Sequence, residues 1–153
     1  MSVDGTDGSI TPAEVVTAAD GKATARFGPG TKSGTARITA TVLYEGLDEP
    51  LTDSVEQHID HAAPYRLAGL WYDPEVIVGE TTDIVLRMED RYGNPVDSRR
   101  VAETVTFMVG SPAGGAMFEV SGSDKATVEV DGTGNATARL RVDTVAGENI
   151  VYI

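Results

Sequence analysis

The 153-residue chain contains no cysteine. That excludes disulfides, thiolate catalysis and cysteine-ligated zinc, but it fixes no compartment, since many tandem surface modules manage without disulfides. Cations are also scarce: twelve Lys and Arg stand against twenty-four Asp and Glu, a formal charge of −12. With so few groups to displace phosphate counterions, nucleic acid and anionic membrane surfaces are disfavoured as partners. The same charge favours solubility and is compatible with divalent cations. Aromatic residues make up 6% of the chain, with a single tryptophan, Trp71, and two histidines, His58 and His61. No apolar run approaches the roughly 18–20 residues of a membrane span, so no membrane insertion is expected. The opening Met1-Ser2-Val3-Asp4-Gly5 is polar and is no signal peptide. If the parent protein is exported, its signal is expected outside this sequence.

What the chain does have is enough apolar residues, 41%, to build a core, and a long internal repeat. Gly21-Lys22-Ala23-Thr24-Ala25-Arg26-Phe27 returns as Gly134-Asn135-Ala136-Thr137-Ala138-Arg139-Leu140, an offset of 113 residues. Without a gap, the same offset carries Gly34 onto Gly147, Ile38 onto Val151 and Ala40 onto Ile153. A period of that length is a whole domain, not a solenoid unit, so the chain is expected to sample a tandem array out of phase with its own ends. The seam is placed at Asp60-His61-Ala62-Ala63-Pro64. Residues 1–62 are then the C-terminal part of one module. Residues 63–153 are a second module that lacks its last strand, about 20 residues short of the end the repeat sets.

The apolar pattern has period two, the mark of half-buried strands. Ala23, Ala25 and Phe27 alternate, as do Ala36, Ile38, Ala40, Val42 and Tyr44. Leu51, Val55 and Ile59 mark another strand, and Val76–Val78 the next. Ile84, Leu86 and Met88 follow, then Val105, Phe107 and Val109. The series ends with Ala126, Val128 and Val130, then Ala136, Ala138 and Leu140, and finally Val151 and Ile153. Only Glu14–Val16 and Asp97–Glu103 allow even a short turn of helix. Turn residues separate the runs: Asp20-Gly21, Gly28-Pro29-Gly30, Gly93-Asn94-Pro95, Ser111-Pro112, Gly114-Gly115 and Asp131-Gly132. Many short strands with glycine between them suit a sandwich of two sheets.

From Pro64 onward the order of features is more specific. Leu67-Ala68-Gly69-Leu70-Trp71 leads to Asp73-Pro74-Glu75-Val76-Ile77-Val78-Gly79-Glu80, and Thr82–Leu86 leads to Glu89-Asp90-Arg91-Tyr92-Gly93-Asn94-Pro95-Val96. Val105-Thr106-Phe107, the Gly114-Gly115 turn, the Gly-x-Ala-Thr-Ala strand and Ala146-Gly147 complete the series. This ordered set resembles the bacterial immunoglobulin-like (Big) repeats of invasin- and intimin-type surface proteins. The hallmarks of that family are an Asp-x-x-Gly-Asn-Pro-Val turn and a later Asp-x-x-Gly-x-Ala strand. The likeness covers residues 64–153; the first 62 residues resemble only the later half of such a module. It implies an all-β fold of immunoglobulin-like antiparallel β-sandwich modules in tandem. It further implies an extracellular location at the cell surface, with adjacent Ig-like modules of the same parent as neighbours.

Each candidate site has a bland reading beside it. Asp90, Gly93, Asn94, Pro95 and Asp97 offer clustered oxygens, but a tight structural turn is preferred, because calcium loops need more acids at fixed spacing. Asp48, Glu49, Asp53, Glu56, Asp60 and Asp73 crowd the seam. A solvated acidic surface is the preferred reading and inter-module calcium the alternative, so no cofactor is assigned. His58 and His61, three apart, point to opposite faces of a strand, which argues against zinc. Trp71 and Tyr72, with Tyr65 near, offer a sugar-stacking platform, yet a lone tryptophan on a first strand is expected in the core or at the module junction. Asn135-Ala136-Thr137 is a glycosylation sequon, of consequence only in a host that glycosylates exported proteins.

No Gly-x-Ser-x-Gly elbow, triad or phosphate loop is present, so no catalytic residue is assigned. Two functions remain. One is a non-catalytic structural spacer in a larger adhesin-like surface protein. The other is a binding or assembly module that engages a glycan, receptor or neighbouring subunit through loops or an exposed strand edge. Within the second, Val55, Gln57 and Ile59 are the residues expected to carry strand exchange, because the second module lacks the equivalent of their strand.

Overall fold

Strands form in this chain where apolar residues alternate and a neighbouring strand stands ready to take up their backbone hydrogen bonds. The computed structural model describes residues 1–46, 48–99, 102–110 and 115–153. Among these there are twelve strands and no helix. The chain divides into two compact units, Met1–His61 and Ala62–Ile153.

The first unit holds β1 (Ser2–Asp4), β2 (Ser9–Thr11), β3 (Arg26–Gly28), β4 (Gly34–Val42) and β5 (Leu51–Ile59). They form an antiparallel sheet of order β1-β4-β5 and a separate β2-β3 pair. β4 and β5 pair along their whole lengths, from Gly34 opposite Ile59 to Val42 opposite Leu51. The alternation expected for Ala36 to Tyr44 holds only at its start: Ala36 is buried and Ile38 half-buried, while Ala40, Val42 and Tyr44 are exposed. β5 is exposed along its length except at Ile59.

The second unit holds β6 (Pro64–Trp71), β7 (Thr81–Asp90), β8 (Thr104–Val109), β9 (Met117–Phe118), β10 (Lys125–Glu129), β11 (Asn135–Arg141) and β12 (Val151–Tyr152). Two antiparallel sheets, ordered β6-β7-β11-β9 and β10-β8-β12, enclose one core. Alternate residues point into it: Ile84, Leu86 and Met88 from β7; Val105, Phe107 and Val109 from β8; Ala136, Ala138 and Leu140 from β11. Phe107 and Phe118, both fully buried, meet with ring centroids 6.1 Å apart and planes tilted by 57°. Tilted rings set the positive edge of one against the negative face of the other.

Several expectations need correction. The repeated heptapeptide is a full strand only once. In the second unit Asn135–Arg141 pairs with Arg87–Thr81, and Ala136 and Ala138 are buried. In the first, only Arg26–Gly28 is strand, and Ala23 is exposed. Among the described residues no strand pairs with Lys22–Ala25. Val76–Val78 likewise form no strand. Trp71 is 53% exposed and does not enter the core. The register shift in the β6–β7 pairing between Ala68 and Leu70 sets Trp71 opposite Val85 rather than buried Ile84. The expected turns at Ser111-Pro112 and Gly114 lie outside the described residues, as do Arg100 and Val101 of the Asp97–Glu103 stretch. Glu14–Val16 are exposed and not helical.

Phe107→Ala should cost about 3–5 kcal/mol, the usual cost of emptying a phenyl-sized core site. Urea unfolding followed by the fluorescence of Trp71 measures it. In native-state hydrogen exchange, amides of β7, β8 and β11 should be protected longest. Those of the first unit should exchange early, because Ala36 is the only buried hydrophobic residue described there.

Candidate functional site

β7 ends on a carboxylate, and the chain then reverses around it. Asp90 is 1% exposed. Its Oδ1 accepts the backbone N–H of Tyr92 at 2.8 Å and of Asn94 at 2.9 Å. Its Oδ2 accepts Asn94 Nδ2 at 2.8 Å and the N–H of Ala62 at 2.9 Å. The Asp90 N–H donates to the Asn94 carbonyl, and the Gly93 N–H donates back to the Asp90 carbonyl. Gly93 sits at φ +86°, which a side chain would strain. Pro95 bridges to Glu89, and the Val96 N–H closes onto the Met88 carbonyl. Asp90, Gly93, Asn94 and Pro95 are thus one assembly. It is a hydrogen-bonded turn whose carboxylate oxygens already have their donors.

Asp131-Gly132-Thr133-Gly134-Asn135 repeats the arrangement. Asp131 Oδ1 accepts the N–H of Thr133 at 2.7 Å and of Asn135 at 3.0 Å. The Asp131 N–H reaches the Asn135 carbonyl, and the Gly134 N–H returns to the Asp131 carbonyl. The two turns touch: the Gly134 carbonyl accepts the Met88 N–H, and a Cβ on Gly134 would come within 2.7 Å of the Pro95 side chain. A third lock, not foreseen from the sequence, ties the first unit. Asp7 accepts Thr31 Oγ1 at 2.6 Å, the Thr31 N–H at 2.9 Å and the Lys32 N–H at 2.8 Å.

The second feature is an open cleft of about 840 Å³ within the second unit. Core residues Ile84, Leu140 and Val142 line it, along with Leu70, Val76 and Val151. It therefore reaches the apolar interior beside β12. Asp143, 4% exposed, lines the same cleft. Its Oδ1 accepts the Val145 N–H at 3.0 Å, while Oδ2 is buried and meets no donor among the described residues. A buried acceptor in that condition costs free energy until something donates to it.

No protein-family model matches the chain, and no curated protein matches its sequence. Among solved structures, FdeC, an Escherichia coli adhesin, is similar over 95% of this chain at 18% identity and a TM-score of 0.44. The chain spans less than half of that structure, 45%. A Parabacteroides merdae β-glucuronidase is similar over 78% of this chain and 15% of its own, at 18% identity and a TM-score of 0.32. At such identities and scores neither likeness assigns an activity.

Val55, Gln57 and Ile59 lie on one face of β5, opposite Ile38, Ala36 and Gly34 of β4. Tyr65, Trp71 and Tyr72 are all more than half exposed. The doubled Asp-x-x-Gly-Asn spacing was the available signal for the second turn. Nothing local in the sequence marked Asp143, whose setting depends on elements far along the chain.

Burial pushes the Asp90 carboxyl up, but hydrogen bonds from the Asn94 side chain and from the N–H groups of Ala62, Asn94 and Tyr92 outweigh it. The group sits below its ordinary value of 3.8. Asp7 is held at about 2, chiefly by the Thr31 hydroxyl and then by the backbone N–H groups of Thr31 and Lys32. A depressed folded pKa contributes stability that is complete above the unfolded value and is lost as pH falls through the folded one. Stability should therefore decline on acidification below about pH 4, with the Asp7 contribution fading down to about pH 2. Asp90→Ala should cost roughly 3 kcal/mol or more at neutral pH, since several buried donors lose their acceptor together. It should also flatten the acid slope. An unchanged slope in urea midpoints between pH 5 and pH 2 would remove Asp90 from this role.

Proposed function

We propose that the chain is a non-catalytic, immunoglobulin-like structural module, part of a tandem spacer in a larger cell-surface, adhesin-like protein. The observation that carries this reading is the strand connectivity of the second unit. In chain order β6, β7, β11 and β9 fall where strands A, B, E and D of an immunoglobulin sandwich fall, and β8 and β12 where C and F fall. β10, on the outer side of β8, is a departure from the seven-strand plan. The offset of 113 residues supports the tandem arrangement, since it makes β4 the counterpart of β12. The resemblance to invasin-type repeats adds the surface location and the neighbouring modules. The buried carboxylate of Asp90 is committed to turn geometry, which fits a scaffold better than acid–base chemistry.

A second reading, adhesion through exposed groups, is favoured by one observation. Tyr65, Trp71 and Tyr72 present aromatic surface of the kind that stacks on sugars or anchors a protein partner. The two readings separate in a binding panel of immobilised glycans and host cells probed with the whole chain. A spacer gives no saturable binding. Saturable binding abolished by Trp71→Ala, with the unfolding midpoint unchanged, would replace the spacer reading with the adhesive one.

A further inference from the structure

The outer face of the sheet β6-β7-β11-β9 runs against the charge of the chain. Residues directly opposite in an antiparallel pair share a face, so the ladders lay this one out in rows. Arg66 lies beside Glu89, then Ala68 beside Arg87, then Trp71 beside Val85 and Thr137, then Asp83 beside Arg139. Arg141 meets Glu119 at the β9 end, 3.3 Å apart. Four arginines therefore stand against three carboxylates, an excess of one positive charge in a chain of −12.

The carboxylates are already engaged. Glu89 Oε2 accepts Nε of Arg66 at 3.0 Å and Nη2 at 2.7 Å. Asp83 holds Arg139 through two bonds, of 2.8 and 3.1 Å, and Glu119 accepts Arg141. Arg87 is the cation left over. Its Nε is buried and makes no hydrogen bond among the described residues; Glu89 Oε1 stands 3.5 Å from it. The side chain as a whole is 37% exposed, so a ligand can reach the guanidinium from solvent. That group carries five N–H donors in a fixed fork that matches a carboxylate in two places at once.

An aromatic platform lies next to it. Gly69 is the extra residue of β6, between Ala68 opposite Arg87 and Leu70 opposite Leu86. It sits at φ +62°, and a Cβ there would collide with Cη2, Cζ2 and Cζ3 of Trp71. The indole thus leans back along β6, over the glycine and toward Ala68, the ladder partner of Arg87. Two residues along β7, from Val85 to Arg87, span about 7 Å, a distance that one sugar ring and its carboxylate substituent cover. Thr137, exposed in the Trp71 row, adds a hydroxyl that can give or accept a hydrogen bond.

We propose that this face binds a sugar bearing a carboxylate, with the ring stacked on Trp71 and the carboxylate held by the Arg87 fork. The proposal rests on the adhesive reading above and narrows it to one of its aromatic residues and to acidic glycans. A neutral sugar leaves the fork unmatched. Elsewhere the strongly acidic chain repels an anion, which confines such a ligand to this face.

Trp71 is the single tryptophan, so its fluorescence reports the platform alone. The whole chain is titrated with trigalacturonate, with neutral galactotriose and with acetate, and the Arg87 Nε–H resonance is followed by NMR alongside that fluorescence. Trigalacturonate should move both signals together and saturate, and added salt should weaken it. Galactotriose should bind at least about tenfold more weakly, the loss expected for a charge-assisted two-point contact. Acetate should leave Trp71 unmoved. Arg87→Gln should weaken trigalacturonate at least about tenfold, and Arg87→Lys, which keeps the charge without the fork, should restore only part of the loss. Urea midpoints establish that both variants remain folded. Galactotriose binding as tightly as trigalacturonate would overturn the inference and leave adhesion through sugars standing. No saturable binding of either would overturn it and also remove the glycan form of the adhesive reading. Undiminished affinity in Arg87→Gln, or acetate shifting Trp71 as trigalacturonate does, would overturn it as well.

Discussion

One buried carboxylate governs the second unit. Asp90 is closed off from water at the end of the longest strand, where an ion is tolerable only if hydrogen bonds replace the water it has lost. Those bonds come from Tyr92 and Asn94, which fix the turn, and from Ala62, which fixes where the unit begins. Because the Met88 peptide is shared between this turn and the Gly134 carbonyl, the register of β7 against β11 is set from the same place. Register then decides which residues face inward, since a slip of one would exchange the two faces of every strand. The packing of Ile84, Leu86 and Met88 into the core thus depends on a polar group outside the hydrophobic cluster.

The sequence announced the strands of the second unit because their alternation is regular and their turns carry glycine, asparagine and aspartate at fixed places. Ile84–Met88, Val105–Val109 and Ala136–Leu140 could be read residue by residue. The turn at Asp90 was equally legible as a turn. What could not be read locally is whether a strand-like segment would find a partner. Gly21–Phe27 and Gly134–Leu140 carry nearly the same residues, yet only the second lies beside a strand as long as β7. Trp71 stays out of the core for a related reason: its side depends on a register shift in β6 that no composition rule encodes. The cleft and Asp143 were invisible because they are made by residues that meet only after both sheets have formed.

The two units also divide the work of stability unequally. Nearly all described core residues belong to the second, and the first is held by ladders, by the Asp7 lock and by partly buried side chains such as Val3, Ile10 and Phe27. Open sheet edges of this kind invite indiscriminate pairing. The strong negative charge of the chain opposes that, and β5 itself carries Asp53 and Glu56 among its apolar residues. Charge on an edge permits association only where shape and register repay the repulsion.

The bond from the Ala62 N–H to Asp90 Oδ2 has a mechanical side. Tension arriving along the chain from its N-terminal direction meets that bond before it meets the ladder that starts with Pro64 opposite Asp90. The carboxylate then works as a clasp: the load is borne first by a charge-assisted contact anchored to a rigid turn, and only after it opens is the β6–β7 ladder put under strain. A protein that carries pulling forces would in this way hold a small, reversible reserve of extension at the entrance of the unit, and could yield there without exposing its core.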